Sequence, residues 1–575
     1  MILQALVNYY EMLLKQGKVA QHGWCQAKVS FSLNLGMDGQ LKGIFTLKQE
    51  RTRGDKKVWL PNFRTVPQMV ARSSGVSANF LCDNSKYILG VDSNGAGKRV
   101  QECFEAARER HLTILKDVNS DLAVAVKNFF NTWNPNEAKN HPKLQEIWEE
   151  ITDGSNLIFT MGMAEAQCDE EIQKAWNKLL NEKENGQEGI CLVTGKKDEI
   201  ARIHSAIKGV QGAQSSGAAL VSFNAPAFES YGKEQSYNAP VGTYAAFAYT
   251  TALNYLLSQR EYVFQLGDTT VVFWAESGEE SYQKAFSWCV EPRKDNQDAL
   301  KEIFQNLQTL NIDIADVRLD SNQRFYILGI GPNAARLSVQ FFYVDSFGNI
   351  IQNVARHYSR MEIVKPPWEE RDYLGLWAML FETVNRKSKD KKPAQNLPGA
   401  VMKAILSGGR YPESLYNHVI MRIRAEQGNI TWGRAAIIKA CLIRNHHLQK
   451  EEEFVGLNEE TNDVAYILGR VFSVLEAIQW EASGELNSTI KDRYFNSACA
   501  MPYAVFPRLI AMENNHIRKF DKQKEGKKLY YETLLTQLLW KISNFPKRLT
   551  PEEQGRFILG YYHQSQKKYG NKEDK

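Results

Sequence analysis

A change of hydrophobic periodicity at Val364-Lys365-Pro366-Pro367 constrains the fold more than any other feature of this sequence. Beyond it, apolar residues recur every three to four positions almost to the end, which is typical of amphipathic helices. Before it, short alternating segments separated by glycines indicate antiparallel strands. The sequence therefore predicts an α+β chain. Its N-terminal part is mixed α/β with an antiparallel sheet and a helical insertion, and an all-α C-terminal helical bundle follows.

These patterns divide the 575 residues into three regions. Residues 1–366 form the predicted α+β region, with strands at 219–223 and 269–274 among others and a helical insertion at about 101–183. Residues 367–455 form a helical connecting region, and residues 456–575 form the C-terminal bundle. Within that bundle the order Thr550, Pro551 and a Glu at the third helical position is typical of a helix N-terminus.

The composition is that of a folded protein with little bulk charge. Hydrophobic residues make up 43 % of the chain, charged residues 24 %, and the net charge is +5. No apolar run reaches 18 residues, so we expect no membrane span. The first residues have neither a basic leader nor a cleavage site, so we expect no signal peptide. Eight cysteines without a C-x-x-C pair favour a reducing cytoplasm over a disulfide framework or a zinc site.

Motifs for catalysis are incomplete. Gly95-Ala96-Gly97-Lys98-Arg99 resembles a phosphate-binding loop, but Asp92 stands at the first glycine and Arg99 at the magnesium-binding hydroxyl. An ATP site, a surface turn and a backbone–phosphate contact remain open for this segment. The stretch from Asp268 to Glu276 lacks the lysine expected of a nuclease strand pair. The sequence therefore predicts no catalytic residue, no metal and no cofactor.

Two segments combine clustered cations with features of nucleic-acid binding. Residues 40–75 contain eight Lys or Arg against two acidic residues, with Trp59 and Phe63 interleaved. Residues 491–575 contain 17 Lys or Arg against nine acidic residues. Clustered cations bind phosphates, and aromatic rings stack on bases. A solvated charged hairpin and an ordinary helix surface would have the same composition, so both alternatives stay open.

Two further segments, 72–84 and 207–235, are rich in Gly, Asn, Gln, Ser and Lys. Glycines let the backbone approach a ligand, and amide side chains offer donors and acceptors to base edges. Ordinary loop chemistry is the alternative interpretation. In both segments these residue types suit nucleic-acid contacts.

Motifs spread over nearly the whole chain resemble the Csd family of CRISPR-associated proteins, the large subunit of the type I-C Cascade surveillance complex. The matching segments are Met1–Leu6, Arg72–Gly75, Asn79–Asn84, Ile207–Val210, Leu220–Asn224, Phe228–Gly232, Gly267–Thr270, Ile490–Phe495, Val505–Leu509, Gln554–Phe557 and Gly560–Gln564. These motifs are long and unusual, which makes a chance match implausible.

The resemblance implies a non-catalytic subunit that recognises the protospacer-adjacent motif in double-stranded DNA. Such a subunit aids R-loop formation, holds the displaced single strand and recruits a helicase-nuclease. The implied partners are the crRNA, the target duplex, a crRNA-end-binding subunit, backbone subunits and small subunits, with no membrane. The family also implies that the C-terminal bundle is made separately from an internal start. Since no Met lies between Met421 and Met501, that start needs Met421 or a non-standard codon such as Val455 or Val464.

Three groups of residues follow as expected nucleic-acid contacts. The group expected at the duplex end is Arg72, Ser73, Asn79 and Asn84, with Lys48 and Lys98 nearby. The group expected at the motif or the strand-separating wedge is Lys208, Gln211, Gln214, Asn224, Lys233 and Gln235. The group expected on the displaced strand is Lys491, Arg493, Arg508, Arg518 and Lys519. Two alternatives stay open: a structural scaffold that does not read DNA, and a metal-dependent nuclease.

Overall fold

The computed structural model describes residues 1–53, 56–70, 75–182, 187–306, 312–314, 317–448, 454–484, 487–520 and 524–570. The chain divides into two compact units. The first unit comprises Met1–Ala206 and Val221–Tyr255, and the second comprises Ile207–Leu220 and Leu256–Lys575. The short segment Ile207–Leu220 thus belongs to the second unit, although the first unit precedes and follows it. The domain boundaries predicted after residues 366 and 455 stay predictions.

The first unit mixes helices with short strands. Its helices are α1 (Ile2–Lys15), α2 (Ser85–Ile88), α3 (Lys98–Ile114), α4 (Asp121–Thr132), α5 (Trp148–Thr152), α6 (Glu170–Glu182) and most of α7 (Thr243–Ser258). Its strands are β1 (Trp24–Val29), β2 (Phe31–Leu35), β3 (Leu41–Thr46), β4 (Gln49–Arg53), β5 (Lys56–Leu60), β6 (Asn62–Pro67), β7 (Cys82–Asn84), β8 (Asn156–Met161), β9 (Ala164–Glu165), β10 (Glu188–Ile190) and β11 (Lys197–Glu199).

A five-stranded sheet forms the centre of the first unit. Its order is β3-β2-β8-β7 with β9 paired to β8, and β2 and β8 run parallel while the other pairs are antiparallel. Strand β8 interrupts the helical pattern predicted for 101–183. Its residues Leu157, Ile158 and Phe159 are fully buried, and a short buried apolar run cannot be distinguished from helix by periodicity alone. Three separate two-stranded antiparallel sheets, β1–β6, β4–β5 and β10–β11, complete the strands.

The second unit combines an antiparallel sheet with many helices. Its strands are β12 (Val263–Leu266), β13 (Thr269–Ala275), β14 (Ile312–Ile314), β15 (Val317–Leu319), β16 (Arg324–Asn333) and β17 (Arg336–Ser346). Strands β12-β13-β16-β17 form one antiparallel sheet in that order, and β14 pairs with β15. The register sets Phe273 opposite Ile327, and both side chains are fully buried.

The second unit also contains twelve α-helices among the described residues, and from residue 347 onward these helices are its regular elements. The helices of this unit are α8 (Glu280–Val290), α9 (Gln297–Asn306), α10 (Phe347–Met361), α11 (Leu376–Phe381), α12 (Leu397–Ser407), α13 (Glu413–Ala425), α14 (Trp432–His446), α15 (Val464–Ser483), α16 (Ile490–Ala500), α17 (Pro502–Ile517), α18 (Glu525–Trp540) and α19 (Pro551–Gly570). The predicted fold class, an α+β part followed by packed helices, is confirmed.

The helical part shares one hydrophobic core with the sheet of its unit, and this core extends from β12 to α19.

The predicted helix start at Thr550 is confirmed as a capping box. The Thr550 N–H donates to Glu553 Oε2 over 2.7 Å, and the Glu553 N–H donates to Thr550 Oγ1 over 3.3 Å. No helix in the described part of the chain is long and apolar enough to cross a membrane.

Candidate nucleic-acid interface

Residues 207–218 form a loop that is closed at its base, here called the sealed loop. The Ile207 and Ala218 N–H groups each donate to the carbonyl of the other residue over 2.9 Å. Between them Gly209, Gly212 and Gly217 have φ values of +89°, +78° and +104°. Side chains are strained in this backbone region, whereas glycine is not. The sealed loop therefore has a tight backbone path that its glycines make possible.

The sealed loop is fixed to the sheet of its own unit. The Gln211 N–H donates to Thr270 Oγ1 on β13 over 3.2 Å. At the loop exit the Leu337 N–H of β17 donates to the Ala219 carbonyl over 2.9 Å. Val210 is buried and anchors the loop from inside. The backbone is thus held in place while the residues between these anchors face outward.

The exposed side chains of the sealed loop are the ones expected from the sequence. Lys208, Gln211 and Gln214 are all exposed. A glutamine side chain both donates and accepts hydrogen bonds, and a lysine only donates. This combination can recognise a base edge and a neighbouring phosphate from one rigid loop.

The other half of the expected motif group lies on the first unit. Asn224 and Lys233 are exposed, and Gln235 is half-buried with a φ of +46°. The Gln235 N–H donates to Glu229 Oε1 over 3.0 Å, which closes the loop formed by residues 226–238. The structure therefore assigns three of the six residues to each compact unit.

The two asparagines expected at the duplex end, Asn79 and Asn84, form hydrogen bonds within the protein. Asn79 is 1 % exposed, its Oδ1 accepts the Val70 N–H over 2.8 Å, and its own N–H donates to Asp83 Oδ2 over 2.9 Å. Asn84 caps α2, because its Oδ1 accepts the Lys86 N–H over 3.1 Å. The side-chain oxygens of both asparagines thus accept backbone N–H groups of the protein itself.

The other residues of that group differ in their surroundings. Lys48 Nζ lies 2.6 Å from Glu150 Oε2 and 4.7 Å from the centre of the Phe31 ring, and only 16 % of its side chain is exposed. Its charge is already paired within the first unit. Arg72 and Ser73 lie outside the described residues.

Lys98 and Arg99 form the first turn of α3, and Lys98 is exposed. That turn contains no acidic residue. The N-terminus of a helix carries a partial positive charge. Two cations in the first turn add to this charge, so the turn favours the binding of an anion. Of the interpretations left open for this segment, the geometry favours a surface turn that can contact a phosphate.

The group expected on the displaced strand lies on two neighbouring helices. Lys491 and Arg493 are on α16, and Arg508 is on α17, with Arg518 and Lys519 directly after its end. All except Lys491 are exposed. The Arg508 guanidinium lies 5.6 Å from the centre of the Tyr494 ring. The contact with Tyr494 places Arg508 beside α16, whereas Arg518 and Lys519 follow the C-terminal end of α17.

His204, which precedes the sealed loop in the sequence, is buried. His204 Nδ1 lies 2.7 Å from the Tyr249 hydroxyl, and burial lowers the pKa of His204 to about 4. The histidine is thus neutral and packed in the core of the first unit. Within the described ranges no group of three or more His, Cys, Asp and Glu is arranged to hold a metal ion.

Residues 6–569 match the family model described as CRISPR-associated protein (Cas_Csd1). The chain belongs to the Csd1 family. This family provides the large subunit of the type I-C Cascade complex in CRISPR antiviral defence, and its members are generally non-catalytic. The search among curated proteins returned no significant match.

Sequence reasoning missed one basic feature of this Csd1-family chain, the loop after α11. Arg386 is held by Glu382 at 3.2 Å, and the Lys387 N–H donates to Asn385 Oδ1 over 3.1 Å. The loop then presents four exposed lysines: Lys387, Lys389, Lys391 and Lys392. The amino-acid sequence could have indicated this loop, because five of the seven residues from 386 to 392 are basic.

Proposed function

We propose that this Csd1-family subunit recognises the protospacer-adjacent motif in double-stranded DNA, aids R-loop formation, holds the non-target strand and recruits the helicase-nuclease, without catalysing a reaction itself. The observation that supports this proposal best is the sealed loop. Its backbone is fixed by the Gln211–Thr270 hydrogen bond, and it presents Lys208 and Gln214 outward. A loop that is ordered before binding loses little conformational entropy when it binds.

Guide-directed recognition requires only a small protein–DNA contact surface, such as the one that the sealed loop offers. Guide pairing supplies most of the sequence specificity, so the protein has to recognise only a short duplex element. R-loop formation is nearly balanced in free energy, so a few cationic contacts shift it. The exposed cations Arg493, Arg508, Arg518 and Lys519 can supply these contacts to the displaced strand.

The further partners follow from membership of the Cascade complex. We infer contacts with the crRNA, the crRNA-end-binding subunit, the backbone subunits and the small subunits. Residues 456–575 correspond to the bundle that we propose is also made separately as a small subunit. The proposed location is the cytoplasm.

The test is a gel-shift titration of the assembled complex with its guide, at fixed salt. The target duplex carries a randomised triplet beside the guide-matched stretch, and bound and free DNA are sequenced. We expect strong enrichment of a few triplets that disappears when this chain is omitted.

Two variants separate base recognition from phosphate contact. Gln214→Ala should relax the triplet preference, at a cost of about 1–3 kcal/mol if the amide pairs with a base edge. Lys208→Ala should weaken binding to all triplets alike and reduce the salt dependence by about one ion. The matched controls are Gln537→Ala and Lys403→Ala, which remove exposed side chains of the same types from helices of the same unit.

Two results would contradict the proposal. Equal binding to every triplet, with affinity intact, would show that the chain is a scaffold and that another subunit recognises the motif. Metal-dependent cleavage of DNA by the purified chain would show that it is a nuclease.

A further inference from the structure

Tyr231 is the most exposed aromatic residue among the described residues. Its relative exposure is 100 %, so within the described part of the chain its side chain is fully open to solvent. It lies at the tip of the 226–238 loop of the first unit, which also exposes part of Phe228. An aromatic ring in this position adds no buried area to the core, and its face is open to a ligand.

The backbone at Tyr231 is strained. Tyr231 has a φ of +55° and Gly232 has a φ of +69°. The Lys233 N–H donates to the Ser230 carbonyl over 3.1 Å, which closes a four-residue turn. Two central residues with positive φ characterise a type I′ turn, whose first central position favours Asn, Asp or Gly. A tyrosine at this position is unfavourable for the fold itself.

One asparagine holds this strained turn in place. Asn238 Oδ1 accepts the Ser230 N–H over 2.8 Å, and Asn238 Nδ2 donates to the Lys233 and Gln235 carbonyls over 2.7 and 2.9 Å. The Ser236 N–H also donates to the Arg202 carbonyl over 3.2 Å. The ring thus projects from a turn whose backbone is fixed on both sides.

The charges around the ring are arranged for an anionic partner. Glu234 is paired with Arg202 at 3.2 Å, and Glu229 accepts the Gln235 N–H. Lys233 is exposed and forms no ion pair with any residue that the structure describes. The cation next to the tyrosine is thus available, while both carboxylates of the loop are engaged.

We infer that Tyr231 stacks on an unpaired base of the opened target DNA, with Lys233 beside the adjacent phosphate. Stacking on an aromatic ring is tolerant of sequence, because every base has a π-face. Stacking therefore suits a contact with the displaced strand, whose base sequence differs from one target to the next. This inference rests on the proposed function and deepens it, because it assigns one single-strand contact to the 226–238 loop.

The test uses the assembled complex with its guide and a duplex target. The displaced strand carries 2-aminopurine at each of the first three unpaired positions beside the motif, one position per target. The fluorescence of 2-aminopurine falls when the base stacks. The variants are Tyr231→Phe, which keeps the ring, and Tyr231→Asn, which removes the ring and suits the turn. Met163→Asn, at another fully exposed position of the same unit, is the control.

We expect quenching at one position with the wild-type complex, with Tyr231→Phe and with the control. Tyr231→Asn should restore the fluorescence and weaken target binding about tenfold, within the range for losing one stacked base. Because Asn is favoured in this turn, its thermal stability should equal or exceed that of the wild type. The loss of binding then cannot result from unfolding.

Other outcomes would overturn the inference in distinguishable ways. Unchanged quenching and affinity in Tyr231→Asn, with the triplet preference intact, would overturn the stacking role and leave the proposed function standing. A wild-type complex whose DNA binding does not depend on this chain would overturn both. If Tyr231→Asn lowers the amount of this chain in the purified complex, but not the affinity of complete complexes, the ring contacts a sister subunit instead.

Discussion

The Gln211 N–H donates to the Thr270 hydroxyl over 3.2 Å, and this bond joins the sealed loop to the sheet of its unit. Thr270 is fully buried, and its own hydroxyl donates to Gln265 Oε1 on β12 over 2.9 Å. A hydroxyl can accept and donate at the same time. Thr270 therefore links an exposed loop to two strands with one side chain.

Replacing Thr270 by Val should loosen the sealed loop. The partly buried Gln211 N–H loses its acceptor, and the loss of one such hydrogen bond costs about 0.5–1.5 kcal/mol in unfolding free energy. Hydrogen exchange should become faster at the Gln211 amide, and the triplet preference of the assembled complex should weaken. Thr270→Ser, which keeps the hydroxyl, should behave like the wild type. Unchanged exchange at Gln211 in the Val variant would show that other contacts hold the loop.

Two glycines set the close packing of α15 against α19. A Cβ on Gly469 would clash with the Phe557 carbonyl oxygen, and a Cβ on Gly560 would clash with the Tyr466 carbonyl oxygen. Alanine in place of a helical glycine normally stabilises by about 1 kcal/mol. Gly469→Ala should instead destabilise by about 2–3 kcal/mol, because backbone atoms cannot move aside. Chemical denaturation measures this change.

Gly526→Ala on α18 is the matched control for that substitution. No heavy atom lies within 4 Å of a Cβ built at Gly526. This variant should raise the unfolding free energy, as helix propensity predicts. If both variants stabilise the protein, the two helices can separate slightly without cost, and the close approach is not required.

The sequence was informative where structure depends on local pattern. The order Thr550, Pro551 and a Glu at the third helical position predicted a helix N-terminus, and α19 begins at Pro551. The strand predicted over 219–223 is wrong, because only Ala219 forms a bridge there, with Arg336. Five largely apolar residues do not distinguish a strand from a loop that packs on a sheet.

The candidate site was harder to predict, because its residues are defined by distant partners. Lys48 carries the composition of a phosphate contact, yet its charge is paired with Glu150, 102 residues away. Asn79 was selected for its polar neighbourhood, yet it is buried against Val70 and Asp83. The family motif Gly267–Thr270 was visible, but its role required knowing that Thr270 meets Gln211. Such long-range pairings leave no local pattern in the sequence.

Glu291 should make the protein less stable as the pH rises from acid to neutral. Its Oε1 accepts the Trp377 N–H over 2.7 Å at the start of α11, and burial raises the pKa of Glu291 to about 7. Since the folded state holds the proton more tightly than the unfolded state, stability falls as the pH rises from about 4.5 to about 7. Glu291→Gln keeps an amide oxygen for Trp377 and cannot ionise. Its melting temperature relative to wild type should rise between pH 5 and pH 8, and a constant difference would contradict this.

His563 should make the helical part sensitive to acid. His563 Nδ1 lies 2.8 Å from the Tyr466 hydroxyl, and burial, together with the charge of Lys439, lowers the pKa of His563 to about 3. The folded state thus keeps the imidazole neutral while the unfolded state binds a proton below about pH 6.5. Stability is fully present above that pH, and this histidine removes up to about 1.4 kcal/mol per pH unit as the pH falls further.

His563→Gln tests this by denaturant unfolding at several values between pH 7.5 and pH 5. The variant should be less stable than the wild type at pH 7.5, because packing and the bond to Tyr466 change, but its loss of stability toward pH 5 should be smaller. Tyr466→Phe removes the same hydrogen bond and leaves the histidine titratable, so it should lose stability toward acid as steeply as the wild type. The remaining slope in His563→Gln should come from the other buried histidines His111, His204 and His357, whose pKa values burial also lowers. Glu291 opposes them, because its raised pKa stabilises the fold as the pH falls. Identical slopes in His563→Gln and the wild type would show that His563 is hydrated or protonated in the folded protein.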